Sequence, residues 1–581
     1  MLEDLLREGL FAALEKFGVY EEDVDIELEK PRDRSHGDLS TNLAMVLGKR
    51  LKRKPRELAG EIAAGVDLPK EVVESVEIAG PGFINFRVAK PYQVMLLLDL
   101  LKPDGSLAAI KTGGNKRINV EFISANPTGP LNVVSARAGA FGMTLVRLLD
   151  AIGYDAHAEY YVNDAGRQVT LLGESLRAHY LSLVGEKVEF PENGYRGRYL
   201  ETMAAELLKQ DPEAISKAAA VFNDESFQRI SVPDGSAGDW TQLPPDESIR
   251  AFSKYALMKI LSWQRETCRR FGLRFETWYF ESELHETKRI ERAFDRLQKQ
   301  GSLYEEDGAT FFRATDFGDE KDRVVLRADG MPTYFLADNA YHFHKHQRGF
   351  ERAIDFWGPD HHGYISRMQG AMEALGIPRD WLEVQILQQV SFIEGGDTMK
   401  MSKRAGQFVT MDALMDEVGA DVAKYIFLTR KPNSHLDFDL DLAREQSNDN
   451  PVYKVKYAHA RICSVLRKAA EAGIEPGEPS AASLGRLTED AEWSLVRELT
   501  RLPRVIVSAA RAREPHRLTG YVFDLAGLFN QFFQDPHCKI LGDDKDATEA
   551  RLHLCLVTQH VLRVVLELIG VDAPEAMGEK V

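Results

Sequence analysis

Apolar residues recur with three different patterns along the chain, and each pattern predicts a different region. Residues 1–110 contain an amphipathic segment, Leu2–Phe17, a basic helical stretch, Leu43–Val66, and an alternating strand, Val76–Val88, which predict a small α+β domain. Residues 111–445 alternate strand and helix patterns, whereas residues 446–581 show only helical periodicity. Because 581 residues are too many for one core, these regions are expected to be separate domains.

The central region begins with a strand, a turn, a helix and a second strand. Arg117–Ser124 alternates apolar residues, and Asn126–Pro130 must be a turn because it contains two prolines and a glycine. Ser135 is placed to cap a helix over Ala136–Ile152, and Ala156–Val162 predicts a parallel strand. This order is typical of a doubly wound, Rossmann-type α/β domain, which binds ligands at the carboxyl ends of its strands. Weak periodicity around 184–246 predicts an insertion in this domain.

The C-terminal region is predicted to be an all-helical domain. Its helices are expected over Tyr453–Ala470, Glu489–Ala512, Gly520–Phe533 and Arg551–Ile569. The formal net charge of -17 disfavours non-specific nucleic-acid binding, so DNA is not an expected partner. Local basic clusters at 49–56 and 497–517 still allow an RNA partner, because phosphate contacts need only one basic face.

The cysteines and the apolar runs indicate the cellular compartment in which the protein is expected. Four cysteines lie far apart without a CxxC pair, which argues against a disulfide framework and a cysteine zinc site. We find no signal peptide and no apolar run that predicts a bilayer span. We therefore expect a cytoplasmic protein that has no membrane partner.

Two segments of the central region suggest nucleotide chemistry. The turn from Asn126 to Ser135 presents backbone N–H groups at a helix N-terminus, which is a ready anion site. Downstream, Lys400-Met401-Ser402-Lys403-Arg404 lies between glycines that let the loop close. Two lysines three residues apart can stabilise the charge that develops as ATP releases pyrophosphate.

These segments and several others together resemble arginyl-tRNA synthetase, a class I aminoacyl-tRNA synthetase, over nearly the whole chain. The resemblance rests on residues 121–131 (EFISANPTGPL), 160–166 (YYVNDAG), 357–364 (WGPDHHGY), 434–440 (SHLDFDL) and 450–461 (NPVYKVKYAHAR). Residues 35–38 and 80–85 are similar to the extra N-terminal domain of that family, which packs on the tRNA elbow. The resemblance implies ATP- and Mg²⁺-dependent ligation of L-arginine to tRNA(Arg) through arginyl-adenylate, formed only with tRNA bound. We expect a monomer with an anticodon-binding C-terminal domain.

The resemblance also assigns residues to each substrate. The assigned sets are, for arginine, Glu121, Asn126, Tyr334, Asp338 and His361; for ATP, Pro127, Thr128, Gly129, Leu131, Asn132, Ser135, Met401, Ser402 and Lys403; for catalysis, Lys400, Lys403, Asn132 and Ser135; and for tRNA, Asn85, Tyr457, Tyr521 and Met577. Carboxylates suit arginine because its guanidinium is planar, always charged and carries five donors.

A histidine-rich stretch needs a separate interpretation. His342, His344 and His346 would share one face of a strand and could then bind zinc. The family pattern does not use these positions as ligands, and the neighbouring Lys345 and Arg348 suggest a solvated surface. We therefore predict no metal site on the protein.

The first ATP motif departs from the class I pattern His-x-Gly-His, because the four positions here are Asn132, Val133, Val134 and Ser135. Replacing two charge-assisted hydrogen bonds by neutral ones should slow activation by about one to two orders of magnitude. Lys400, Lys403 and Arg137 would remain as cations.

Three hypotheses follow from this departure. They are an active arginyl-tRNA synthetase, a tRNA-binding protein without ligase activity, and a lysine-specific class I synthetase. The retained Glu121, Asn126, Tyr334 and Asp338 favour the first hypothesis, because a chain that had abandoned catalysis would have little physical need for them.

Overall fold

The computed structural model of this chain describes residues 2–20, 24–31, 33, 36–209, 236–399 and 410–577. At the N-terminus, three helices pack on a three-stranded antiparallel sheet of order β1-β3-β2. The segment predicted as an alternating strand broken by Gly80-Pro81-Gly82 is a hairpin, because Gly80 and Gly82 adopt positive φ angles of 53° and 139° that favour a turn. The elements are α1 (Leu2–Leu14), β1 (Leu39–Thr41), α2 (Leu43–Arg50), α3 (Pro55–Gly65), β2 (Val73–Ala79) and β3 (Phe83–Val88), followed by the connecting helices α4 (Lys90–Asp99) and α5 (Ser106–Ala109).

The central domain is built on a parallel sheet of five strands in the order β11-β10-β4-β5-β6. Its strands are β4 (Arg117–Glu121), β5 (Asp155–Val162), β6 (Thr277–Phe280), β10 (Arg352–Trp357) and β11 (Leu382–Ile386). Two small sheets are formed by β7 (Leu303–Glu306), β8 (Ala309–Phe312) and β9 (Arg323–Leu326), and by β12 (Val390–Glu394), β13 (Asp397–Thr398) and β14 (Leu436–Asp439). The predicted doubly wound fold is confirmed.

The central region has helices between and after the strands of the parallel sheet. They are α6 (Val133–Ala151), α7 (Arg167–Leu183), α8 (Arg198–Lys209), α9 (Ala237–Thr241), α10 (Pro245–Arg270), α11 (Glu281–Glu286), α12 (Arg289–Lys299), α13 (Tyr334–Gln347), α14 (Ile365–Ala374), α15 (Met411–Val418), α16 (Ala420–Phe427) and α17 (Leu440–Arg444). The described parts of the predicted insertion, including α8 and α9, share a separate apolar core with α7 and α10 around Trp240, Phe252 and Tyr255. The insertion is therefore packed on the catalytic region by its own core.

The C-terminal domain is helical, as predicted. Its helices are α18 (Pro451–Glu471), α19 (Ala481–Leu484), α20 (Asp490–Leu499), α21 (Leu502–Ala512), α22 (His516–Gln534) and α23 (Lys545–Ile569). The single helix predicted over 489–512 is two helices, and Pro503 lies in the first turn of the second, where proline is tolerated. By length and hydropathy α23 could cross a membrane, contrary to the sequence reading, but 61% of its apolar window is buried inside the protein.

Candidate active site

Three carboxylates converge at the carboxyl ends of the central strands. Glu121 is the last residue of β4, Glu281 directly follows β6, and Asp338 lies one turn into α13. Burial raises the pKa of Asp338, although the Tyr364 hydroxyl donates to its Oδ2 over 2.8 Å. Burial, together with the charge of nearby Asp338, raises the pKa of Glu281 to about 7. Such a cluster of desolvated carboxylates favours the binding of a cationic ligand.

Glu281 is surrounded by donors from the end of β5. The Tyr161 hydroxyl hydrogen-bonds to the Glu281 carboxylate. The Asn163 side-chain nitrogen lies 3.2 Å from Glu281 Oε2 when the amide is oriented so that both of its polar atoms have hydrogen-bond partners. Sequence reasoning missed Glu281. The available signal was its position directly after β6, at the same edge of the sheet as Glu121, the last residue of β4.

Glu121 anchors a strained turn. Ile123 and Ser124 adopt φ angles of 70° and 41°, a region that non-glycine residues rarely occupy and that a β-branched residue occupies at a cost. The Ser124 hydroxyl donates to Glu121 Oε1 over 2.8 Å and accepts from the N–H of Tyr161 over 3.0 Å. This conformation ends the strand at Glu121, three residues before the predicted end, and directs the chain into the Asn126 turn.

The histidine-rich stretch is a helix, and its charged residues are not on a solvated surface. Lys345 is 0% exposed and His342 is 5% exposed, so the prediction of a solvated surface for this segment was wrong. Lys345 Nζ lies 2.5 Å from Glu121 Oε2 and 2.9 Å from Asp355 Oδ1. Residues 338, 341, 342 and 345 have the spacing of one helical face. This spacing could have predicted that their side chains lie together on one side of a helix.

The other residues predicted for arginine are exposed. Tyr334 begins α13, one turn before Asp338, and is 69% exposed. Asn126 is exposed on the turn after β4. His361 is exposed beside the ring of Trp357 and close enough to influence the ionisation of Asp338.

The turn predicted for ATP is fixed by contacts to its backbone. The Tyr199 hydroxyl donates to the Thr128 carbonyl over 2.5 Å, and the Gln264 amide donates to the Gly129 carbonyl over 2.8 Å. Pro127 and Leu131 are buried, which seats the turn on the domain core. The insertion thus contributes Tyr199 to the nucleotide motif.

The altered positions of the motif form a helix cap. Helix α6 begins at Val133, and Asn132 is the N-cap because its Oδ1 accepts from the N–H of Ser135 over 3.0 Å. Ser135 was predicted to be the cap, and this is corrected. The Ser135 hydroxyl lies 3.3 Å from the same oxygen of Asn132, and Val134, at the glycine position, is 41% exposed.

Lys400, Met401, Ser402 and Lys403 lie outside the described residues. The chain on either side of them is well attached. Before them, the N–H of Met399 donates to the Phe392 carbonyl over 2.8 Å. After them, Thr410 forms a β-bridge with Asn132, and the N–H of Met411 donates to the Leu131 carbonyl over 2.8 Å. The chain therefore leaves the second motif directly beside the first.

Arg137 is not available as a free cation for phosphate, contrary to the sequence reading. Its side chain is fully buried, and its guanidinium donates to the carbonyls of Gln388, Gln389, Lys431 and Ser434 over 2.6–3.2 Å. Burial lowers its pKa to about 10. Arg137 thus ties α6 to the segments that lead into β12 and β14.

An aromatic and cationic surface lies on the C-terminal domain. Tyr457 stacks on Tyr453 with centroids 5.7 Å apart, and the guanidinium of Arg461 lies 4.5 Å from the Tyr457 ring and 4.6 Å from the ring of Phe533. Such rings and guanidinium planes are suited to stacking with unpaired bases.

The other residues predicted for tRNA are less open. Tyr521 is 4% exposed and its hydroxyl donates to the Glu498 carbonyl over 3.1 Å, so its ring offers no face to a base and the predicted stacking role is corrected. Asn85 is 3% exposed and lines a cavity of about 570 Å³ with Pro81 and Phe83. Met577 is half-buried.

Comparison with known proteins agrees with this architecture. Residues 4–88 match the arginyl tRNA synthetase N terminal domain, residues 243–437 the catalytic domain of tRNA synthetases class I (R), and residues 455–577 the DALR anticodon binding domain. The altered first motif lies outside these matched ranges.

Curated relatives cover nearly the whole chain. An arginine–tRNA ligase of Moorella thermoacetica is 42% identical over 560 residues, which are 96% of this chain and 95% of the relative. One from Bacillus pumilus is 41% identical over 579 residues and 99% of each chain. The fold matches Thermus thermophilus arginyl-tRNA synthetase with a TM-score of 0.75 at 22% identity, covering 99% of this chain and 100% of that one. The chain therefore belongs to the arginyl-tRNA synthetase family, the class I enzymes that ligate arginine to tRNA.

Proposed function

We propose that the chain recognises arginine with the carboxylates of Glu121, Glu281 and Asp338 and charges tRNA(Arg) in two steps. The observation that supports this most directly is the convergence of the three carboxylates at the ends of β4 and β6 and on α13. A guanidinium spreads its donors over a plane and satisfies several acceptors at once, whereas a lysine ammonium is a compact point charge. The geometry thus favours arginine over lysine.

In the first step the arginine carboxylate attacks the α-phosphorus of ATP, giving arginyl-adenylate and pyrophosphate. The N-terminus of α6, capped by Asn132, is the place for the phosphates, because its first N–H groups have no partner within the helix. Lys400 and Lys403 stabilise the leaving pyrophosphate, and Mg²⁺ enters on the phosphates of ATP. Within the described residues no cluster of histidine, cysteine, aspartate and glutamate is arranged to hold a metal ion.

In the second step the terminal ribose hydroxyl of tRNA takes the arginyl group. The surface of Tyr453, Tyr457, Arg461 and Phe533 contacts the anticodon loop by stacking. The N-terminal domain contacts the tRNA elbow near Phe83 and Asn85. We place the enzyme in the cytoplasm and expect a monomer.

The decisive experiment is attachment of labelled arginine to tRNA by the purified protein, with ATP and magnesium and with labelled lysine as the control. We expect arginine-selective charging. tRNA binding without charging would indicate a non-catalytic protein, and lysine charging would overturn the pocket assignment.

Asp338→Asn tests the pocket itself. Loss of one charge-assisted hydrogen bond should raise the KM for arginine by about 10- to 150-fold. The matched control is Asp295→Asn, which changes an exposed aspartate on α12 and should leave the KM for arginine unchanged. An unchanged KM in the Asp338 variant would exclude Asp338 from arginine recognition.

A further inference from the structure

A buried ammonium group stands directly behind the carboxylate cluster. Lys345 is fully buried on α13, and its Nζ contacts Glu121 Oε2 at 2.5 Å and Asp355 Oδ1 at 2.9 Å. The Lys345 ammonium also lies over the ring of Tyr341, 4.6 Å from the ring centroid. Burial alone would lower the pKa of Lys345, but Asp355, Glu121 and Glu159 together raise it. The lysine is therefore charged in a place where charge is costly.

The surrounding charges show which carboxylate depends on this lysine. Glu159 is paired with the guanidinium of Arg348, at 2.6 Å and 2.7 Å to its two oxygens. Asp355 has a second partner, since His342 Nε2 lies 2.8 Å from its Oδ2. Among the described residues Glu121 makes no salt bridge with a second cation, and its other hydrogen bonds come from the hydroxyls of Tyr341 and Ser124. Removing the ammonium would therefore leave Glu121, and not Asp355 or Glu159, without an ionic partner.

The same lysine links Glu121 to the helix turn that carries Asp338. His342 bonds to Asp355 through Nε2 and to the Asp338 carbonyl through Nδ1 at 2.8 Å. Both ring nitrogens thus face oxygens that can accept, and, against the effect of burial, the carboxylate of Asp355 raises the pKa of His342, which favours the imidazolium. A continuous polar chain runs from Glu121 through Lys345, Asp355 and His342 to the backbone of Asp338.

We propose that Lys345 is a positioning residue for arginine recognition, because its buried ammonium holds Glu121 Oε2 and thereby offers the other carboxylate oxygen to the guanidinium. Oε1 accepts only from Ser124 among the described residues, so it keeps acceptor capacity for a further donor. Preorganisation of this kind lowers the ordering cost of binding. The proposal rests on the arginine pocket assigned above.

The test is a double-mutant cycle between Lys345 and Glu121, read by steady-state charging with varied arginine at saturating ATP and tRNA. Lys345→Met removes the charge at similar volume, and Lys345→Arg retains it. We expect the methionine variant to raise the KM for arginine about 30-fold or more, with the KM values for ATP and tRNA within about threefold of the parent. The arginine variant should recover part of this loss.

The cycle separates a local role from a general structural one. In a Glu121→Gln background the same Lys345→Met change should alter the KM for arginine by less than about threefold, because the oxygen that Lys345 holds has lost its charge. An equal fold-change in both backgrounds, or a KM within threefold in the folded single variant, would overturn the proposal. If Lys345→Met does not fold, Lys345→Gln replaces it, since its amide keeps one donor without charge.

Failure of the arginine-pocket assignment can be distinguished from failure of the positioning role of Lys345. If Glu121→Gln and Asp338→Asn both leave the KM for arginine unchanged, the pocket is wrong whatever Lys345 does. If they raise it and the Lys345 variants do not, only the positioning role fails.

Discussion

Replacing Glu281 by glutamine should remove a pH dependence from arginine binding. Burial raises the pKa of this carboxyl to about 7 in the ligand-free site, and a guanidinium binds the ionised form. At pH 6 roughly one molecule in eleven is ionised, and at pH 8 roughly ten in eleven. Because apparent affinity scales with the competent fraction, the parent should bind arginine about tenfold more weakly at pH 6 than at pH 8.

The same carboxyl should destabilise the ligand-free protein at high pH. Its folded-state pKa is raised from 4.5 to about 7, so the stabilising contribution is present below 4.5 and is lost as the pH rises through 7. The shift corresponds to about 3 kcal/mol. Glu281→Gln should therefore be more stable than the parent at pH 8 by up to this amount, and the advantage should shrink towards pH 5.

The assay is the KM for arginine in steady-state charging between pH 6 and pH 8, with thermal unfolding at pH 5 and pH 8. Glu291→Gln, an exposed glutamate on α12, is the control and should keep the parent profile. A pH effect caused by titration of ATP or tRNA would appear equally in the parent and in both variants. A parent KM that changes by less than twofold, or a Glu281→Gln variant with the parent slope, would refute the reasoning.

The remaining predictions concern ATP and tRNA. Histidine at both Asn132 and Ser135 should not speed charging and should lower the free energy of unfolding by about 1 kcal/mol, measured by denaturant unfolding, because the side-chain cap is lost. Lys403→Ala should slow arginine-dependent turnover without changing tRNA affinity measured by filter binding, and an equal rate would remove this lysine from the mechanism. Tyr457→Ala should raise the KM for tRNA about tenfold through lost stacking. Tyr521→Phe should leave that KM unchanged and cost about 1 kcal/mol of stability.

The periodic signals predicted the fold well and the buried charges poorly. The parallel sheet followed from apolar strands alternating with helices, and Glu121 and Asp338 were predicted as site residues from the family motifs. Lys345 was assigned to the surface because a lysine among histidines looks solvated, and only the partners supplied by Glu121 and by Asp355, 234 residues apart in sequence, reverse that. A buried ion pair depends on tertiary contacts, which a single sequence does not display.

A long-range contact explains the N-cap error in the same way. Asn132 and Ser135 are both good capping residues, and the choice between them depends on where the turn meets the helix. Thr410, which bridges Asn132 from 278 residues away, fixes that point. No local pattern around Asn132 contains this contact.

We expect the altered ATP motif to change how a phosphate site is built without removing it. Histidines would donate from their side chains, whereas Asn132 uses its side chain to close the first turn of α6 on the N–H of Ser135. The earlier N–H groups at this helix end have no partner within the helix, and they point where an anion is favoured. The bridge to Thr410 and the bond from Met411 to Leu131 hold this end against the chain that leaves the lysine motif. We therefore infer that the backbone carries more of the phosphate recognition. Because neutral donors are weaker than charged ones, we expect Lys400 and Lys403 to supply a larger share of the charge stabilisation during activation.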